Sequence, residues 1–539
     1  MAVTAPPPRA RNRRPPRRQR SHRGAWLALA AVVVVAAAAG AAVYAFSGVT
    51  LAADPAALGR VDLQVFAGSV ESVRATGPDG RRIPLVVSHG RLTPREPVAP
   101  GERISLAVVV RRPGWASWAL GKERRETLNV ETPVAGIASP WVTAARGRAS
   151  VRYDTPVDRV SVPGASVAGR TVSLAAKTTA GSVVVRAAAR PWETLGPPVR
   201  VTWFPQAKDP VVLASPGPDA QVDPLAPIRL TFSQPVSQAL GGKQPTISPA
   251  VAGKWTTVDS HTLVFRPSGT GAPFASALTV RFPSTVLVAG ATGAAARSTT
   301  ALHLAVAGAS FLRLQQLLAQ EGYLPVVWNP AGADVPHTMR SEVKAAVSPP
   351  EGRFRWRYPN TPHELQSLWK TGEPNEIVRG AVMMFQDEHH LTVDGIAGPK
   401  VWHAVLADAA AGKRHPGGYS YVYVHRSVPQ KLTLWHNGDV VLTSPGNTGV
   451  PAAPTALGTW PVFEHIPIGR MSGTNPDGTH YDDPGIRWIS YFHGGEALHA
   501  FNRASFGTPQ SLGCVELPLA SAAKVWPYTP IGTLVTIED

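Results

Sequence analysis

From residue 54 to about 306 the chain alternates apolar and polar positions, the pattern of half-buried strands. Segments such as RVDLQVF, RISLAVVV, SVVVRAAA and PVRVTWF are alternating or β-branched, and PDG, PGP and GG turns separate them. This predicts sandwiches in three β segments, 54–130, 131–207 and 208–306, broken at the Pro-containing stretches ETPVAG and FPQAKDP. Between 309 and 412 the period shifts to 3.6. FLRLQQLLAQEGYLP predicts a helix ending at Gly322. RGAVMMFQDEHHLTVDGIAGPKVWHAVL predicts two helices joined by a DG turn, the second starting at Pro399. A KRHPGG linker follows at 413–418. Alternation then resumes through YSYVYVH, QKLTLWHNGDVVLTS, IRWISYF and GTLVTIED, with SAAKVWPY as one late helix. The terminal domain, 420–539, is thus strand-rich.

The N-terminus has a different pattern. Trp26 to Phe46 runs without a charge, WLALAAVVVVAAAAGAAVYAF, long enough as a helix for the roughly 30 Å hydrocarbon core. Residues 1–25 form a basic tail, which predicts a single-pass membrane helix at 26–46 with a cytoplasmic N-terminus and an exported remainder. A cleaved signal peptide is the competing reading, but the apolar run exceeds the usual h-region of about 7–15 residues.

Composition narrows this only in part. The 539 residues include 53 Pro and 49 Gly, which favours short strands and turns over long bundles. Net charge is +17, of which the eight Arg before residue 54 supply nearly half. Beside an apolar span those Arg read as a topology signal, and no nucleic-acid partner is expected. The single cysteine, Cys514, excludes an intrachain disulfide and any multi-cysteine metal site. His389 and His390 lack a companion ligand at helical spacing and read as surface histidines.

Cys514 is the candidate for chemistry. It lies in SLGCVEL, fifteen residues after the His of ALHAF, His499. A thiol becomes a strong nucleophile as the thiolate, and a neighbouring imidazole can take its proton. Gly513 permits a sharp turn, so amides around Leu512 and Gly513 can face a developing oxyanion. An unpaired thiol kept in an oxidising compartment, in a Gly-flanked turn, points to use in chemistry, a buried inert Cys being the alternative.

These residues resemble the L,D-transpeptidase (YkuD-like) catalytic domain. The shared features are Leu498–His499 ending a strand, the Ser511-Leu512-Gly513-Cys514 turn, a short helix, and the Gly532-Thr533-Leu534-Val535 strand. An upstream Pro454, Thr455, Gly458, Trp460 element fits the same family. Segment 208–306 resembles bacterial Ig-like domains. Segment 309–412 resembles the peptidoglycan-binding-like helical module through Phe385, Gln386, Leu391, Asp394, Gly395, Gly398 and Trp402, with a long interruption at 329–360. The fold class expected is therefore multidomain and mainly β: a transmembrane helix, Ig-like β-sandwiches, a small helical module and a β-sandwich-like catalytic domain.

The resemblance implies a cysteine-dependent cross-linking of peptidoglycan stem peptides, donor and acceptor, with release of D-Ala, no cofactor and no metal. L,D-carboxypeptidase activity at the same site is the alternative, as is a non-catalytic wall-binding protein. It also implies acylation of Cys514 by carbapenems, and places Tyr481 and Trp488 near the donor pocket, with Ser511 and Glu516 as further substrate contacts. His499, after Gly494-Gly495, matches the family's base; His493 is the other candidate. Two positions depart from the family: Leu512 stands where His is frequent, and Glu516 where Arg or Asn is frequent.

Overall fold

The computed structural model describes residues 23–177, 179–290 and 297–539, so most of the basic tail lies outside the described residues. Arg23–Ala45 is one helix. Its Trp26–Ala45 stretch has a mean hydropathy of 2.4 and is long and apolar enough to cross a membrane.

The chain divides into two compact units, the first including this helix and reaching Trp203 apart from 179–181, the second comprising Phe204–Asp539 with that short segment. In the first unit, one four-stranded sheet orders Val49–Ala52, Gly59–Leu63, Arg91–Pro94 and Leu85–Ser88. Another orders Arg82–Ile83, Ser69–Thr76, Arg103–Arg111 and Glu123–Glu131. Alternation along Arg103–Arg111 sends Ile104, Leu106, Val108 and Val110 into one core, with Leu92 and Ile83. A second core gathers Ala149, Val151, Val172 and Leu174 from the paired strands Arg148–Arg152 and Thr171–Ala175. The reading of 54–306 as strands throughout is corrected at two helices, Gly114–Leu120 and the short Val236–Ala239. Gly114–Leu120 is a helix, because Pro113 ends the preceding strand and GWASWAL lacks β-branched residues.

The second unit begins with a sheet in which most pairs are antiparallel, but Val211–Ala214 runs parallel to Leu287–Gly290. The helical region then comprises Phe311–Glu321, Met339–Val347, His363–Ser367, Glu376–Glu388 and Pro399–Ala411. Gly322 closes the first in the left-handed region, φ 99°, and Pro399 opens the last at a position where its missing N–H costs nothing. The interruption contains a hairpin, Val326–Pro330 against Gly352–Trp356, and the Met339–Val347 helix. His389 is not a free surface histidine. Its ring stacks on Phe385 at 3.9 Å and its Nε2 lies 2.7 Å from Asp408 Oδ2.

One hydrophobic core runs from these helices into the terminal domain. Leu317, Phe385, Val405 and Leu406 share it with Tyr419, Tyr421, Trp435 and Leu534. At Gly380 the helix backbone presses on Gly532, whose carbonyl would stand 2.4 Å from an added Cβ. Tyr358 Oη donates to Asn437 Oδ1 at 2.6 Å across the same junction.

The terminal domain has two sheets. Five strands order Asp439–Pro445, Lys431–His436, Ser420–His425, Leu534–Glu538 and Gly458–Pro461; four order Glu464–Thr474, His480–His493, Glu496–Ala500 and Val515–Leu517. Val422, Leu434, Leu498 and Val515 pack between them, and the Leu519–Val525 helix adds Ala522 and Val525.

Candidate active site

Two short parallel strands set the geometry. Leu498 pairs with Val515 and His499 with Glu516, so the residue just before Val515, Cys514, is held beside the end of the histidine strand. Cys514 and His499 line one cavity of about 620 Å³, together with Tyr481, Tyr491, Phe501, Arg503 and Leu512.

The turn before Cys514 is built for this placement. Gly513 has φ +108°, a conformation that side chains rarely adopt, and a Cβ there would meet Glu496 Cγ at 3.3 Å. Ser511 is buried, and its hydroxyl donates to the Cys514 carbonyl at 2.5 Å, closing the turn. Its amide donates to Thr448 O at 3.1 Å. Among the described residues, no hydrogen bond takes up the amides of Leu512, Gly513 or Cys514. Gly513→Ala is expected to cost about 1–3 kcal/mol of backbone strain. It should slow any Cys514 acylation while a Gly485→Ala control, also at positive φ but with open space around it, does not; stopped-flow or mass-spectrometric acylation rates check this.

His499 is 3% exposed, and its Nδ1 lies 3.0 Å from Ala500 O. A carbonyl can only accept, so Nδ1 carries the hydrogen and Nε2 is left to accept a proton. Burial lowers the His499 pKa, with the Ala500 contact and Glu516 opposing. Burial also pushes the Cys514 thiol up to about 11, against a contact from the Ala497 amide and with Glu516 and Glu496 adding to the rise. Both shifts favour the uncharged forms, a neutral thiol and a neutral imidazole, and the thiol itself donates to Gly495 O at 3.7 Å. His493 sits elsewhere: its ring lies 4.4 Å from Trp460 and its Nδ1 3.3 Å from Glu496 Oε2, outside the cavity lining.

Glu516, an anion where the family resemblance leads one to expect a cation or amide, is buried and paired. Arg503 Nε and Nη2 donate to its two oxygens at 2.8 and 2.7 Å, the guanidinium lying 4.6 Å over Phe501. The pair fastens the loop between His499 and Cys514. Asn447, fully buried, fastens it again by accepting from Gly507 N at 2.9 Å. Neither Arg503 nor Asn447 stands out in the sequence, although Arg503 is the one cation between His499 and Cys514. Of the two aromatics, Tyr481 lines the cavity, whereas Trp488 turns away and packs with Trp460 against the inter-sheet core. No group of three or more His, Cys, Asp or Glu able to hold a metal occurs among the described residues.

Residues 419–537 match the YkuD family, the L,D-transpeptidase catalytic domain. The chain therefore carries an L,D-transpeptidase catalytic domain at its C-terminal end. Among solved structures, an L,D-transpeptidase from Mycobacterium smegmatis aligns with 12% identity, covering 62% of this chain and 100% of its own, at a TM-score of 0.21. The catalytic domain of the Enterococcus faecium enzyme aligns with 23% identity over 22% of this chain and 95% of its own, TM-score 0.21. L,D-transpeptidase 3 of Mycobacterium tuberculosis, in complex with a faropenem-derived adduct, aligns with 13% identity over 61% and 98%, TM-score 0.21. No curated protein matches the chain by sequence.

Proposed function

We propose that the protein cross-links peptidoglycan stem peptides through a Cys514 thioester. The observation that carries this reading is the placement of Cys514 and an Nδ1-anchored His499 on one cavity wall. Cys514 Sγ attacks the carbonyl of the donor's diamino acid as His499 Nε2 takes the thiol proton. The oxyanion sits among the amides of residues 512–514. His499 then protonates the departing D-Ala nitrogen, and the C–N bond breaks to leave the thioester. An acceptor amine attacks the thioester, gives its proton to His499 and releases the thiolate, which is reprotonated; water in its place gives L,D-carboxypeptidase activity. No step needs a metal or cofactor.

Residues 26–46 fit a membrane anchor that leaves the catalytic domain on the wall side, and the β segments 54–130, 131–207 and 208–306 read as spacers without chemistry of their own. The helical segment 309–412 reads as a brace for the catalytic domain, since the two share a core. The alternative is a non-catalytic wall-binding role, for which Leu512 and Glu516 are the departures; Glu516 is paired with Arg503. Incubation of the purified protein with a carbapenem is the test. A mass increase localised to Cys514 is expected; an unmodified Cys514 in folded protein overturns the reading.

A further inference from the structure

A second cavity, of about 300 Å³, shares no lining residue with that of Cys514. It lies where the Phe311–Glu321 and Pro399–Ala411 helices end, and the insertion carrying the 326–330 and 352–356 hairpin closes its side. Both helices present their C-terminal, electronegative ends there. Inside, Arg313 and Glu342 form an ion pair at 2.6 Å, each almost fully buried. Glu321 is 3% exposed, and neither of its carboxyl oxygens has a hydrogen-bond partner.

A buried carboxylate without a partner is costly, so such a group holds a proton or takes a cation. Burial accordingly pushes the Glu321 pKa up to about 9, with Asp408 and Glu342 adding to the rise and Arg414 and Arg313 opposing it. The mouth is net basic, with the exposed Asp334 outnumbered by Arg357, Lys413 and Arg414. Lys413 is committed to Asp408 at 2.7 Å, but the exposed Arg414 makes no hydrogen bond or ion pair among the described residues, and Arg357 spends only Nη2, on Ala319 O at 3.1 Å and Val326 O at 3.5 Å. A lone anion would leave the buried Glu321 protonated and without a partner, and a lone cation would meet the arginines. A ligand with an ammonium at one end and a carboxylate at the other satisfies both, and about 300 Å³ is ample for a small one.

We propose that this cavity binds a small α-amino acid, its ammonium on the Glu321 carboxylate and its carboxylate on Arg414 and Arg357. The site is independent of the acyl-transfer reading. Isothermal titration of the full chain with glycine tests it, with N-acetylglycine and methylamine each lacking one of the two charges. Glycine should bind at least ~10-fold more tightly than either control, as befits one charge-assisted hydrogen bond gained. Glu321→Gln should weaken glycine by at least ~10-fold. Arg414→Gln, at an exposed position, should weaken glycine but leave methylamine unchanged, and neither variant should alter acylation of Cys514. Equal binding of glycine and N-acetylglycine, or no heat with glycine, overturns the proposal. So does glycine affinity unmoved by the Arg414 change, which decides the matter even if Glu321→Gln fails to fold.

Discussion

Cys514→Ala should abolish release of D-Ala from a tetrapeptide-bearing muropeptide while leaving the fold intact. The sulfur is the one atom in the cavity that can form a thioester, and the Ser511 hydroxyl of the same turn is committed to the residue 514 carbonyl. The structural cost is small because the half-buried side chain loses only its sulfur, and Ser511 still closes the turn on the residue 514 carbonyl. High-performance liquid chromatography of the muropeptide products, with circular dichroism as the folding control, measures both effects. Turnover above a few per cent of the wild type would place the nucleophile elsewhere.

His499→Ala should slow acylation by at least ~10²-fold, the lower range for loss of a general base, whereas His493→Ala should be mild. The difference follows from position: His499 faces the cavity and its tautomer is fixed by Ala500 O, while His493 pairs with Glu496 outside it. The pH profile adds a second readout. Burial lowers the His499 pKa from 6.5, so the base is already neutral at physiological pH. The acylation rate should therefore climb with pH only below about 6.5 and stay level through pH 8. It should not track thiol ionisation, because the thiol is pushed up to about 11. A rate that keeps rising tenfold per pH unit between 7 and 9 would mean that free thiolate, formed without His499, is the attacking species.

Local features of the site were legible because each leaves a mark on neighbouring residues. Gly513 beside a lone cysteine announces a turn, and Gly322 and Pro399 announce helix ends. Features made by distant residues left none. The Arg503–Glu516 pair forms across thirteen positions of irregular loop, so no periodicity reports it. Asn447 acts on Gly507, sixty residues away. Trp488 illustrates the converse error: an aromatic at a suggestive position in a strand points to whichever face the local register selects, and a positive φ of 57° sends this one to the core. No long periodic run marks the 329–360 interruption, because its strands are short and its helix spans only Met339–Val347.

The core that crosses from the helices into the terminal domain sets the smallest portion of this chain that can be cut out whole. A fragment starting at residue 419, where the family match begins, would turn Tyr419, Tyr421, Trp435 and Leu534 from interior to surface. Four large apolar side chains in one patch invite self-association. The excisable catalyst therefore starts ahead of Phe311, and a boundary drawn from sequence likeness to the catalytic domain falls about a hundred residues too late.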